Sequence, residues 1–179
     1  FNHVHSKDVN FKFHGRFTLP LLFNTKYTAI FDDDTIPNPK WLEHCVGLCE
    51  EKNCIVGANC RNYSHVPLCD GTGDNNTVPR KCDIVGHCWF FKTEWIHYMW
   101  RESPPTYDNG EDIHFCAACK IYGNIDSYYP PQPNNMREVW GDTATDLHTD
   151  DFATCLTSNH TSIRNGLYKY WIDKGWKIN

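Results

Sequence analysis

The sequence predicts an α/β fold, a mostly parallel sheet flanked by helices. Three observations predict it. Short runs rich in aromatic and β-branched residues recur along the chain, segments with helical apolar spacing separate them, and acids or small residues come directly after the runs. Strands alternating with helices favour parallel pairing, because each helix carries the chain back along the sheet. In such sheets ligands bind outside the carboxyl ends of the strands. The residues just after strands are therefore the ones to search.

Tyr27-Thr-Ala-Ile-Phe31 reads as a buried strand that ends at three acids. Pro37-Asn38-Pro39 opens a helix carrying Trp41, Leu42, Cys45, Val46 and Cys49 at helical spacing. Cys54 to Ala58 reads as a second strand, and 62–82, dense in Gly, Asp, Asn and Pro, as a long surface loop. Asp83 to Lys92 is a third strand, with Thr93 placed to cap a short helix from Glu94 to Arg101. After a Pro-Pro turn, a helix over Glu111 to Tyr122 carries Ile113, Cys116, Ala117, Lys120 and Ile121 on one stripe, with Gly123 closing it. Ile125 to Tyr129 reads as a further strand, 130–160 as irregular, and Ile163 to Lys174 as a helix. No repeat or linker divides the chain, so 1–179 is expected to be a single domain.

Composition narrows the function. The chain has 179 residues, and 17 Lys plus Arg against 22 Asp plus Glu give a net charge of -5. That supplies no basic field for a phosphate backbone, so nucleic acid is not an expected partner. No apolar run reaches the roughly 20 residues of a membrane helix, so no membrane segment is expected either. Ten cysteines are present, and they read first as small buried hydrophobes, then as disulfides, and last as a zinc module. Only Cys116-Ala-Ala-Cys119 has metal-ligand spacing, and it has no partner pair. The thiols leave a cytosolic setting slightly ahead of a Golgi-type lumen. Sequons at Asn62, Asn75 and Asn159 do not decide the matter, because Asn is abundant.

Asp32-Asp33-Asp34 stands at the end of the first strand. Side chains alternate on an extended chain, so Asp32 and Asp34 share one side and Asp33 takes the other. Carboxylates converging in a crevice suit Mg²⁺ or Mn²⁺, hard cations that leave coordination positions open for phosphate. The competing reading is an acidic turn that caps the next helix. Haloacid-dehalogenase-type phosphatases also place acids after a strand, but their required threonine position holds Ile36 here. The second acidic site is Gly110-Glu111-Asp112, at the start of the amphipathic helix. Glu111 or Asp112 can take a proton from an attacking hydroxyl, although acids in a first helical turn are also favoured by the macrodipole. Between the two sites, Gly86 permits close approach of a sugar ring. Trp89 supplies an aromatic face for sugar C–H groups, or else a core ring.

Gly15-Arg16-Phe17, the acidic triplet after its strand, Val85-Gly86 to Phe91, and Asn109-Gly110-Glu111-Asp112 resemble in order and spacing the GT-A glycosyltransferases. The chain is similar to their exostosin-like and family-2 branches and to glycosyltransferases of large algal viruses, over residues 14 to 130. The resemblance implies metal-dependent transfer from a nucleoside-diphosphate sugar, UDP by default, to a hydroxyl acceptor on a glycan or protein, with inversion. It implies that Asp32 and Asp33 bind the nucleotide, that Asp34 with Asp32 ligates the cation, and that Arg16 holds the diphosphate. It further implies that Asp112, with Glu111 second, is the base. His148 or His160 is a candidate to complete the cation shell. Only 31 residues precede Asp32, fewer than the nucleotide-binding segment of that family needs, so an N-terminally truncated GT-A domain is expected. The rival is a non-catalytic sugar- or nucleotide-binding remnant of the same fold.

Overall fold

A computed structural model describes residues 7–33, 35–63, 77–131, 141–143 and 154–179. Two 3-10 turns, Lys12–Phe17 and Leu19–Leu22, lead into strand β1, Tyr27–Phe31. Next come β2 (Thr35–Pro37), α1 (Trp41–Lys52), β3 (Cys54–Arg61), β4 (Arg80–Cys82) and β5 (Ile84–Lys92). A 3-10 turn, Thr93–Trp95, runs into α2 (Ile96–Met99), then α3 (Glu111–Gly123), β6 (Asp126–Tyr129), β7 (Gly141–Thr143) and α4 (His160–Asp173). No helix of the described residues is long and apolar enough to cross a membrane.

The α/β class holds, but the sheet is mixed rather than mostly parallel. Five strands stand in the order β1-β5-β3-β6-β4, and a separate pair joins β2 to β7. Among the described residues only β3 and β6 pair in parallel; β1 with β5, β5 with β3, and β4 with β6 are antiparallel. The physical reason is where β5 inserts. β1, β3 and β6 run one way, with helices between them as the alternation requires, but β5 enters reversed between β1 and β3 and separates two strands that would otherwise face in parallel.

The reversed strand β5 is the centre of the core. Its Phe91 meets Phe115 of α3 edge-on at 4.8 Å, and Phe17 of the first 3-10 turn lies 5.0 Å from the same Phe115 ring. On the opposite face Phe31 packs against Trp41 of α1 at 5.3 Å. The molecule is thus layered helix, sheet, helix. β1 was expected to be buried, but it is an edge strand of the described sheet, half-exposed along its length. Its apolar run reflects contact with one neighbour rather than two.

Other local expectations also change. Helices α1 and α3 both end in an asparagine in the left-handed region, Asn53 at φ 51° and Asn124 at φ 50°, because Asn tolerates that conformation. Gly123 accordingly stays inside α3. Thr93 caps nothing; its hydroxyl lies 2.9 Å from that of Thr28 and 3.1 Å from that of Thr25, tying β5 to β1. Part of the predicted 62–82 loop is strand β4.

Six of the seven free cysteines among the described residues are buried, as small hydrophobes would be, and Cys155 is exposed. Cys60 and Cys82 form a disulfide that ties the end of β3 to β4, with Cα atoms 5.7 Å apart and a sequence separation of 22. Disulfides of this kind form and persist in oxidising compartments. Cys60→Ser is expected to cost about 3 kcal/mol through the freed unfolded chain. Urea titrations with and without reductant check this, since reductant should lower the wild-type midpoint and leave the variant's unmoved.

Candidate active site

The backbone N–H of Asp32 donates to the His87 carbonyl at 2.9 Å. The ladder to β5 therefore continues one step beyond β1 and determines where the acid emerges. Phe31 points to the α1 side, so the neighbouring Asp32 rises on the α3 side. There the Arg16 guanidinium pairs with the Asp32 carboxylate, each side chain about one quarter exposed at 24%. Arg16 also lies over the rings of Trp89, at 5.3 Å, and Phe13, at 5.4 Å. A cation held against two aromatic faces and an acid is oriented before any ligand arrives.

The β3–β5 register shifts between Gly57 and Asn59, opposite a stretch of β5 in which His87 takes φ 60°. Such a bulge twists the strand and redirects the residues beyond it. Gly86 lies at this irregularity, half-buried, and a Cβ there would meet nothing within 4 Å, so its backbone is open to a close-lying group. Trp89 does not serve as an open sugar platform. It is 1% exposed, one side packed edge-on against Phe17 at 5.4 Å and its face covered by Arg16. Asp33 is exposed in the turn after β1. Asp34 and His148 lie outside the described residues.

The second acidic site is built by a sharp entry into α3. Gly110 takes φ 83°, and a Cβ there would stand 2.2 Å from Leu167 Cδ1 of α4. Glycine is needed for both reasons. Glu111 and Asp112 then open α3, yet the two carboxyls differ. Asp112 accepts from Arg164 Nη1 at 3.0 Å and Nη2 at 2.8 Å, and from the Ile113 backbone N–H at 2.8 Å. Burial alone would raise the Asp112 carboxyl, but the Arg164 guanidinium outweighs it and holds the group below its ordinary value. Glu111 has no such clamp. Burial first, then the Asp112 charge, pushes its carboxyl up to about 7, against an opposing pull from Arg16. Two adjacent acids are thereby driven apart, one a fixed anion and one titrating near neutrality.

Around them, Asn109 accepts from Arg164 Nη1 at 3.3 Å and donates its amide to His160 Nδ1 at 2.9 Å. His160 thus braces the α3–α4 junction. His14 is fully buried between Tyr107, at 5.2 Å, and His114, at 6.2 Å. Burial, then the His114 neighbour, lowers it to about 4, so it stays neutral.

Among the described residues no three His, Cys, Asp or Glu side chains converge as a metal cage. Carboxylate oxygens are the donors a hard divalent cation takes, and Asp32 and Asp33 supply them after β1, with the Arg16 guanidinium beside Asp32 to share an anionic ligand. The side chain that sequence reasoning passed over is Arg164. Its signal was present, because Arg164, Leu167 and Trp171 form the buried stripe of α4, and a cation on a buried stripe demands an acid opposite it. Compared with known proteins, the chain matches no family model, and no curated relative matches its sequence.

Proposed function

We propose that the chain is a GT-A-type glycosyltransferase that moves a sugar from a nucleoside-diphosphate donor, a UDP-sugar foremost, to a hydroxyl on a glycan or protein. One observation carries the reading. Arg16 pairs with Asp32 after β1 and lies within electrostatic reach of the buried Glu111, so one cation links the acidic triplet to a carboxyl poised to take a proton near neutral pH.

In the proposed reaction the acceptor hydroxyl attacks the anomeric carbon from the side opposite the diphosphate. Its oxygen bonds to that carbon, its proton passes to Glu111, and the carbon–oxygen bond to the diphosphate breaks. Arg16 faces the diphosphate and offsets charge appearing on the leaving group. Asp34 with Asp32 would hold Mn²⁺ or Mg²⁺, which when bound neutralises the diphosphate, while Asp33 would contact the nucleotide. The roles of the two α3 acids are reversed relative to the order the resemblance implies. Asp112, clamped by Arg164, is a poor proton acceptor and instead fixes the entry to α3, whereas Glu111 retains basicity in the accessible range.

Calorimetric titration with UDP, GDP and dTDP, each with and without Mn²⁺, tests the donor assignment. Cation-dependent binding of at least one nucleotide is expected in the wild type and its loss in Asp34→Ala and Asp32→Asn, with the fold retained. Absence of any cation-dependent heat would favour a non-catalytic remnant. Unchanged transfer by Asp34→Ala would remove that residue from the metal site.

A further inference from the structure

Sequence alone leaves the Asn-x-Ser/Thr sequons equivalent, but the surroundings of Asn62 and Asn159 differ; Asn75 lies outside the described residues. Asn62 comes directly after β3, half-buried, and its Oδ1 accepts from the Asp83 backbone N–H at 2.9 Å. Asp83 in turn accepts from Tyr63 N at 2.6 Å and from Asn179 N at 2.7 Å. The Asn62 amide is therefore held inside a hydrogen-bonded corner next to the Cys60–Cys82 disulfide. Asn159 is exposed between exposed Ser158 and the half-buried His160, and Thr161, two positions on, is exposed as well. Asn159 stands at the N-cap of α4, but its side chain makes no capping bond. At 3.6 residues per turn, it lies about 140° around the helix from Arg164, so it points away from the Asp112 pair.

The disulfide is the independent second observation. A chain that closes Cys60 to Cys82 has folded where thiols are oxidised, and in eukaryotic cells that is where asparagine amides are glycosylated. We propose that Asn159 carries an N-linked glycan and that Asn62 does not. The donor is a lipid-pyrophosphate-linked oligosaccharide, used by a separate oligosaccharyltransferase. The Asn159 Nδ2 bonds to the anomeric carbon of the donor while that carbon's bond to the pyrophosphate oxygen breaks. The lipid pyrophosphate leaves with the electron pair, and the displaced amide proton passes to a carboxylate of the transferring enzyme. The proposal does not depend on the transferase reading of this chain.

The test is to direct the full chain into the secretory pathway of a eukaryotic cell, recover it, release N-glycans enzymatically, and read the peptide carrying residue 159 by mass spectrometry. Asn159 is expected to appear as Asp after release. The glycan at that site should vanish in Asn159→Gln and in Thr161→Ala but persist in Thr161→Ser, all three at exposed positions that leave the fold intact. Protein with Cys60–Cys82 oxidised and an unmodified Asn159 would overturn the proposal. So would a glycan found on Asn62 in place of Asn159.

Discussion

Glu111→Gln is expected to lower sugar transfer by about 10²- to 10⁴-fold, the range over which a positioned general base acts, with nucleotide binding little changed. Glutamine keeps the shape of the side chain and loses only the ability to take a proton. The pH dependence is the sharper readout. With the Glu111 carboxyl raised to about 7, wild-type transfer should rise as pH passes through neutrality, and the variant's residual rate should be flat there. Stability should move the other way. The folded state holds a proton on Glu111 between the ordinary carboxylate range and about 7, while the unfolded chain has released it. Stability therefore falls as pH rises through that window, by an amount on the order of 3 kcal/mol. Glu111→Gln removes the decline, so the variant should be the more stable protein above neutral pH. If urea midpoints of the two proteins trace parallel curves from about pH 5 to about pH 8, the span bracketing that titration, Glu111 is not the titrating group.

Arg164→Leu is expected to destabilise the fold by about 3–5 kcal/mol, because it strands the buried Asp112 carboxylate without its cation. Arg164 is 7% exposed, and its guanidinium supplies both bonds of a bidentate pair, together with one bond to Asn109. Lysine should be a poor substitute, since it cannot reproduce the planar fork. The double variant Arg164→Leu/Asp112→Leu should regain most of the loss, since two apolar side chains can replace a buried pair with little cost. Denaturation of the wild type, both single variants and the double variant in one buffer decides the matter. Additive losses would mean that the two residues act independently. The same cycle separates fold from chemistry, because the stabilised double variant should still lack the ordered entry to α3 that aims Glu111.

The sequence made the helices and the principal strands legible because their periodicities are local. It did not reveal the direction of β5, since Val85 to Phe91 is apolar in either orientation and only the neighbours it finds distinguish the two. Trp89 had the composition of both a sugar platform and a core ring. Arg16 and Phe17, far off in sequence, decide for the core. The acids of α3 were found from their motif, but their division of labour was hidden, because it depends on a guanidinium arriving from α4. Asp32 was legible as an acid after a strand, whereas its pairing with Arg16 required knowing that the first 3-10 turn folds back over β5.

β1 carries Asp32, and within the described sheet it is held by β5 alone, Tyr27 opposite Lys92 and Phe31 opposite Cys88. The acid-bearing strand is made before its partner, which emerges only after α1, β3 and β4. Closing so long a loop is entropically slow, and non-local antiparallel pairing of this kind delays folding. Asp32 and Arg16 should consequently reach their places late, after the β3–β5 core has formed. A partly folded chain would therefore hold its β3–β5 core before the Asp32–Arg16 pair is in place.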